Sequence, residues 1–139
     1  VGENKFRVWD RRNKVAGYEK WYIGEWFYDY WSASPCWLYS KDGENWTPTF
    51  IPHRFKDQYT GLKDKNGKEG YHKDICKDKN GNKLLIEWIA TDATFALLFM
   101  RDDGHLTGAS MPMRYLGECE VIGNISETPS YWRDKNELQ

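Results

Sequence analysis

Gln58-Tyr59-Thr60-Gly61-Leu62-Lys63-Asp64-Lys65-Asn66-Gly67-Lys68-Glu69 carries the reading that decides the fold. An Asn-Gly pair between short runs is the strongest short-range sign of a tight hairpin, because the turn needs positive φ values that Asn and Gly adopt at little steric cost. The same five residues, Lys-Asp-Lys-Asn-Gly, return as Lys77 to Gly81, fourteen positions after the first copy. They predict two hairpin tips rather than a solenoid, which needs several stacked copies.

Downstream of the second tip, Leu84 to Ile89 and Phe95 to Met100 are the most apolar runs, and Asp102-Asp103-Gly104 ends the second. Two central strands are the simplest reading. Glu120 to Ile125 makes a last short strand, and the polar tail after Pro129 reads as a short helix or a frayed end. Upstream, Lys5 to Asp10 alternates, with Phe6, Val8 and Asp10 on one side and Arg7 and Trp9 on the other. The charged stretch Asp10 to Lys14 supplies a turn, and a second strand is expected near Val15 to Tyr18. Trp37-Leu38-Tyr39 enters a hairpin turned at Asp42-Gly43, and Pro48 and Pro52 argue against a long helix there. The expected fold is mainly β: a small antiparallel sheet or partly open barrel with at most one or two short helices.

With 139 residues, one domain over 1–139 is expected. A net charge of -1 sets up no field toward phosphate backbones or anionic membranes, so neither nucleic acid nor membrane is implied by charge. Cys36, Cys76 and Cys119 are an odd number at wide spacing, which suits a reducing compartment and buried thiols. No apolar run is long enough to span a bilayer, and Val1 to Lys5 lacks the apolar stretch of a secretory signal, so a cytoplasmic protein is expected.

Aromatic residues make up 17% of the chain, eight of them tryptophans, so its interior must be built from few, large side chains. They crowd between Trp21 and Trp31. Alternation puts Trp21, Ile23, Phe27 and Trp31 on one face and Tyr22, Trp26, Tyr28 and Tyr30 on the other, so both faces carry rings. A helix is also supported, since Tyr22, Trp26 and Tyr30 are spaced by four, as are Phe27 and Trp31.

Lys5-Phe6-Arg7-Val8-Trp9-Asp10, the central stretch Gln58 to Glu69 and the closing Val121-Ile122-Gly123-Asn124-Ile125 resemble, in this order, the signatures of the YopX family. The resemblance implies a compact, mainly β, oligomeric domain encoded by phages and prophages, and hence the host cytoplasm. It transfers no catalytic residues. The aromatic region from about 18 to 55 falls in the family's variable insert. One departure stands out: where the family has glycine before the aspartate of the next motif, this chain has Lys73 in His72-Lys73-Asp74, which predicts a different turn.

Candidate chemistry is sparse. His53, His72, His105 and the three cysteines lack paired metal-ligand spacing, so no metal is expected. No nucleophile motif appears, and Asp42, Asp64, Asp78 and Asp103 sit beside glycines or lysines as turn residues do. Gly61 to Gly67 lacks the lysine-serine/threonine ending of a phosphate loop, and the lysines around both tips read as solvated edges. No cofactor and no catalysis are expected.

The aromatic block is the candidate site: Trp21, Tyr22, Trp26, Phe27, Tyr28, Tyr30 and Trp31 are read as an interface or partner-binding surface of a non-catalytic, oligomeric accessory protein that engages a host or phage macromolecule. The alternative is a single-stranded nucleic acid or nucleotide, stacked on Trp26, Tyr28 and Tyr30 with Arg7 or Lys20 at phosphate. A third reading packs all these rings into one core.

Overall fold

The computed structural model describes residues 5–22, 26–28, 31–33 and 36–125. The chain divides into two compact units, 1–59 and 60–139. The architecture is mainly β, as expected, with open sheets rather than a closed barrel and one short 3-10 helix among the described residues.

In the first unit, β1 (Lys5–Asp10) pairs antiparallel with β2 (Ala16–Tyr22), with Phe6 opposite Glu19 and Val8 opposite Gly17. The turn between them is held by Asp10, whose carboxylate accepts the backbone N–H of Arg12 at 2.8 Å and of Asn13 at 3.1 Å. β3 (Trp26–Tyr28) and β4 (Trp31–Ala33) form a separate two-stranded pair with Tyr28 opposite Trp31, so this part of the aromatic block is extended and not helical. β5 (Cys36–Ser40) pairs with β2, and Tyr39 bridges Thr47 across the Asp42-Gly43 turn. β6 (His53–Lys63) flanks β1 on its other side, giving the order β5-β2-β1-β6.

Residues opposite one another on antiparallel strands share a face. One face therefore carries Phe6, Val8, Glu19, Trp21, Trp37, Tyr39 and Lys56. The other carries Arg7, Leu38, Ser40 and Asp57, all buried, with the Arg7 guanidinium 2.9 Å from the Asp57 carboxylate and Trp9 Nε1 donating to it at 3.3 Å.

β6 continues past Tyr59 into the second unit, where it runs beside β7 (Glu69–Tyr71). Then follow β8 (Asp74–Lys77), β9 (Lys83–Ile89), β10 (Thr94–Met100), β11 (Leu106–Pro112), the 3-10 helix Met113–Glu118 and β12 (Glu120–Asn124), in the sheet order β11-β10-β9-β8-β12. Cys76, Leu84, Ile86, Leu97 and Val121 pack on one face with Met113, Leu116 and Cys119, while Ile75, Leu85 and Met100 pack on the other. Burial on both faces explains why Leu84-Leu85-Ile86 is apolar without alternation.

Both Lys-Asp-Lys-Asn-Gly copies are hairpin tips, as expected, with φ of 82° at Gly67 and 84° at Gly81. In each, the aspartate Oδ1 accepts backbone N–H groups two and four residues on, at 2.9 Å twice for Asp64 and at 2.9 and 2.8 Å for Asp78. The tips differ at the second oxygen. Asp64 is buried, and its Oδ2 accepts the Val121 N–H at 2.9 Å; among the described residues the Oδ2 of Asp78 accepts its own loop's Asn82 amide, at 3.0 Å.

The turn expected to change at Lys73 does not lose the glycine conformation. Lys73 holds φ at 73°, its N–H donates to the Ile86 carbonyl at 2.8 Å and its carbonyl accepts from Ile125 at 3.1 Å. Two backbone bonds thus hold a lysine in a region that L side chains avoid. The sequence reading had not separated β6 as one eleven-residue strand or recognised β7, β8 and β11. The tail after Pro129 lies outside the described residues.

Candidate functional site

The described face of the first unit that carries Trp21 is built on a buried charge. Glu19, on β2, is 3% exposed and sits among three groups from two other strands. Tyr39 on β5 donates its hydroxyl to Oε2 at 2.7 Å; Lys56 on β6 places Nζ 2.9 Å from Oε1; His53 Nε2 lies 3.8 Å from Oε2. The other His53 nitrogen, Nδ1, faces the Ile51 carbonyl at 2.6 Å, which assigns it the proton and fixes the ring. Burial pushes the Tyr39 phenol far above its ordinary range, and its bond to the Glu19 carboxylate adds to the effect, so Tyr39 acts as a donor and not as a base.

Rings stand over this layer. Trp21 meets Trp37 edge-on at 5.0 Å, and Phe6 lies 6.2 Å from Trp37. Lys56 Nζ is 4.5 Å from the centre of Phe6 and 4.8 Å from that of Trp37, so one ammonium contacts two ring faces and a carboxylate together. Farther along, Phe50 packs edge-on against Tyr39 at 5.3 Å and lies 5.4 Å from the His53 ring.

Tyr39 and Phe50 also wall a cleft of about 420 Å³ with Ile51 and Pro52, rimmed by Asp10, Asn13, Asp42 and Asn45. That is the size of a small-ligand or side-chain pocket. Its two aspartates are structural: Asp10 accepts from Asn13, and Asp42 from the backbone N–H of Glu44 and Asn45, each at 2.8 Å. These donors, led by the Asn13 N–H at Asp10 and the Asn45 N–H at Asp42, hold both carboxyls below the usual carboxylate range.

The structure brings part of the sequence-predicted site together. Trp21 is half-buried within the ring cluster, and Tyr22 follows it at the end of β2, half-buried. Trp26, Phe27, Tyr28 and Trp31 belong to the β3–β4 pair, but their side chains, like all of Tyr30, lie outside the described residues. Of the cations considered for phosphate, Arg7 is buried against Asp57, and Lys20 holds its Nζ 4.3 Å over the Trp46 ring. Sequence reasoning missed Phe6, Glu19, Trp37, Tyr39, Phe50, His53 and Lys56 as one site. Their union depends on the registers of four strands, and only the alternation of Trp37 and Tyr39 hints at it.

Residues 5–131 match the family model described as YopX protein. The chain belongs to the YopX family. The match includes the whole aromatic face, from Phe6 to Lys56, and all three motifs read from the sequence. No curated protein matches the chain.

Elsewhere in this YopX-family chain the described residues hold no group of three or more His, Cys, Asp or Glu placed for a metal, and no helix among them is long and apolar enough to cross a membrane. Cys76 is fully buried, and that burial pushes its thiol far above the ordinary range, as an inert packing residue requires. His72 pairs with Glu87, and its hydrogen bond keeps the Glu87 carboxyl below its usual range.

Proposed function

We propose that this YopX-family chain is a non-catalytic, oligomeric accessory protein of a phage or prophage, working in the host cytoplasm, whose aromatic face in the first unit engages a host or phage macromolecule. One observation carries the reading: large rings stay in solvent while a charge lies beneath them. Trp37 is 37% and Phe50 58% exposed, whereas Glu19, on the face that carries Trp37, is buried. Exposed apolar rings near a buried polar layer are the composition of a contact surface, where aromatic anchors supply much of the binding energy.

Light scattering across a wide concentration range, on the full chain and on Trp37→Ala and Phe50→Ala variants, tests the reading. Association that weakens at least tenfold in either variant is the expected result, since truncating an aromatic anchor costs about 2 kcal/mol or more. A monomer at every concentration, together with no adduct from a photo-crosslinker placed at Phe50 in infected cells, would overturn it.

A further inference from the structure

The ammonium of Lys56 occupies a site that looks made for a ligand. Its Nζ is 2.9 Å from a carboxylate oxygen of Glu19 and within 4.8 Å of the ring centres of Phe6 and Trp37. Trp21 braces Trp37 from the side, and the Tyr39 hydroxyl fixes the far oxygen of Glu19. The receptor groups come from β1, β2 and β5, while the lysine comes from β6. Yet the lysine side chain is 41% exposed, and Trp37 beside it is also open to solvent.

Resting on the binding reading above, we infer that Phe6, Trp37 and Glu19 form a receptor for a lysine side chain of a partner protein, and that Lys56 is its internal plug. The chemistry follows from the occupant already in place. An ammonium held by one charge-assisted hydrogen bond and two ring faces is attracted by both, and a second lysine ammonium reproduces every contact. The receptor is charge-complementary to such a group, since it presents one buried carboxylate and two electron-rich faces.

The plug sets the specificity. Lys56 belongs to the same chain, so its effective concentration at the receptor is high and a free amine competes poorly. A partner displaces it only by adding contacts of its own, and the exposed Trp37 and Phe50 rings are where those contacts are available. Lys56, already partly in solvent, then swings outward without unfolding β6. A partner lysine inserted beside an apolar patch is accepted, and an isolated cation displaces the plug only at high concentration.

Removing the plug exposes the receptor. In the full chain carrying Lys56→Gln, the indole N–H signal of Trp37 is followed by NMR during titration with Nα-acetyl-lysine amide, and in parallel with its Nε-acetylated form. The variant is expected to respond to the free ammonium at a concentration at least tenfold lower than the unsubstituted chain, to ignore the acetylated form, and to lose the response when Phe6→Ala is added. Equal response to both probes, or a response that survives Phe6→Ala, overturns the inference. If the variant fails to fold, the unsubstituted chain decides. The Lys56 ε-methylene protons should be shifted upfield by the rings and return toward ordinary values as the probe reaches high concentration; signals that never move overturn it equally. Loss of this response with intact association in light scattering would remove the lysine receptor alone, and the reverse would remove the oligomeric reading.

Discussion

The two units of this chain solve the problem of an interior in opposite ways. Among the described residues the second unit buries mostly aliphatic chains, Ile75, Leu84, Leu85, Ile86, Leu97, Leu116 and Val121 among them, with Asp64 and Asp74 as its buried charges. The first buries Lys5, Arg7, Asp10, Glu19 and Asp57 around Val8, Leu38, Tyr39 and Ile51; rings are exposed in both, Trp37, Phe50 and Phe55 in the first and Trp88 and Tyr115 in the second. Exposed rings over a buried charge are the feature on which the proposed contact surface of the first unit rests. On the proposed function, the first unit makes the contact and the second is its scaffold.

If the first unit rests on charge pairing, its ion pair should be its weakest point. Asp57→Ala removes the carboxylate that Arg7 and Trp9 share, and should lower unfolding stability by about 3 to 5 kcal/mol in urea titration, because a buried guanidinium loses a charged hydrogen-bond acceptor. Replacing Arg7 by Met and Asp57 by Leu together should recover most of that loss. A double variant as unstable as the single one would mean that packing, not charge, holds the unit. In the second unit Leu84→Ala creates a cavity in a fully buried cluster and should cost about 2 to 5 kcal/mol, with no dependence on salt.

The twin tips sharpen the comparison within one unit. Asp64→Asn turns an amide donor or a weakened acceptor toward the buried Val121 N–H and should cost about 1 to 3 kcal/mol. Asp78→Asn changes a bond to the exposed Asn82 side chain and should cost less than about 1 kcal/mol. The pH dependence has a definite sign. Burial alone would raise the Asp64 carboxyl, but the N–H groups of Val121, Lys68 and Asn66 outweigh it and hold it below its ordinary range. Its contribution is therefore complete above the unfolded value of about pH 4 and is lost as pH falls through the lower folded value. Acid denaturation followed by circular dichroism should show a shallower acid limb in Asp64→Asn than in the unsubstituted chain.

Lys73 gives the smallest effect, with the opposite sign. Lys73→Gly relieves the left-handed backbone and should raise stability by about 0.5 to 1 kcal/mol in the same titration, the gain being trimmed by glycine's larger unfolded freedom. An unchanged or lower stability would show that the lysine side chain compensates its own backbone.

Much of the scaffold is legible in the sequence. Asn66-Gly67 and Asn80-Gly81 mark their turns because local φ requirements are written in two adjacent residues. The apolar runs at 84–89 and 95–100 mark central strands because both faces are buried. The shared face was only half legible. Trp21 was within reach as part of a dense block, but its neighbours Trp37, Phe6 and Lys56 are 16, 15 and 35 positions away and meet it only through β-sheet register, which no local pattern encodes. The exposure of Phe50 was equally hidden, since it depends on what else the fold places over it. At Lys73 the sequence pointed to a changed turn; the lysine holds the left-handed φ that glycine favours, between two backbone hydrogen bonds, an outcome set by tertiary contacts and not by the residue's own preference.

The most direct measurement compares one exposed ring from each unit. A photo-crosslinking amino acid is placed at Phe50 in one full-length chain and at Trp88, 43% exposed in the second unit, in another, and both are irradiated in the phage-infected host. Adducts to a partner or to a second copy at position 50, with little at position 88, are the predicted result. Equal labelling at the two positions, or labelling at 88 alone, would contradict the assignment of recognition to the first unit.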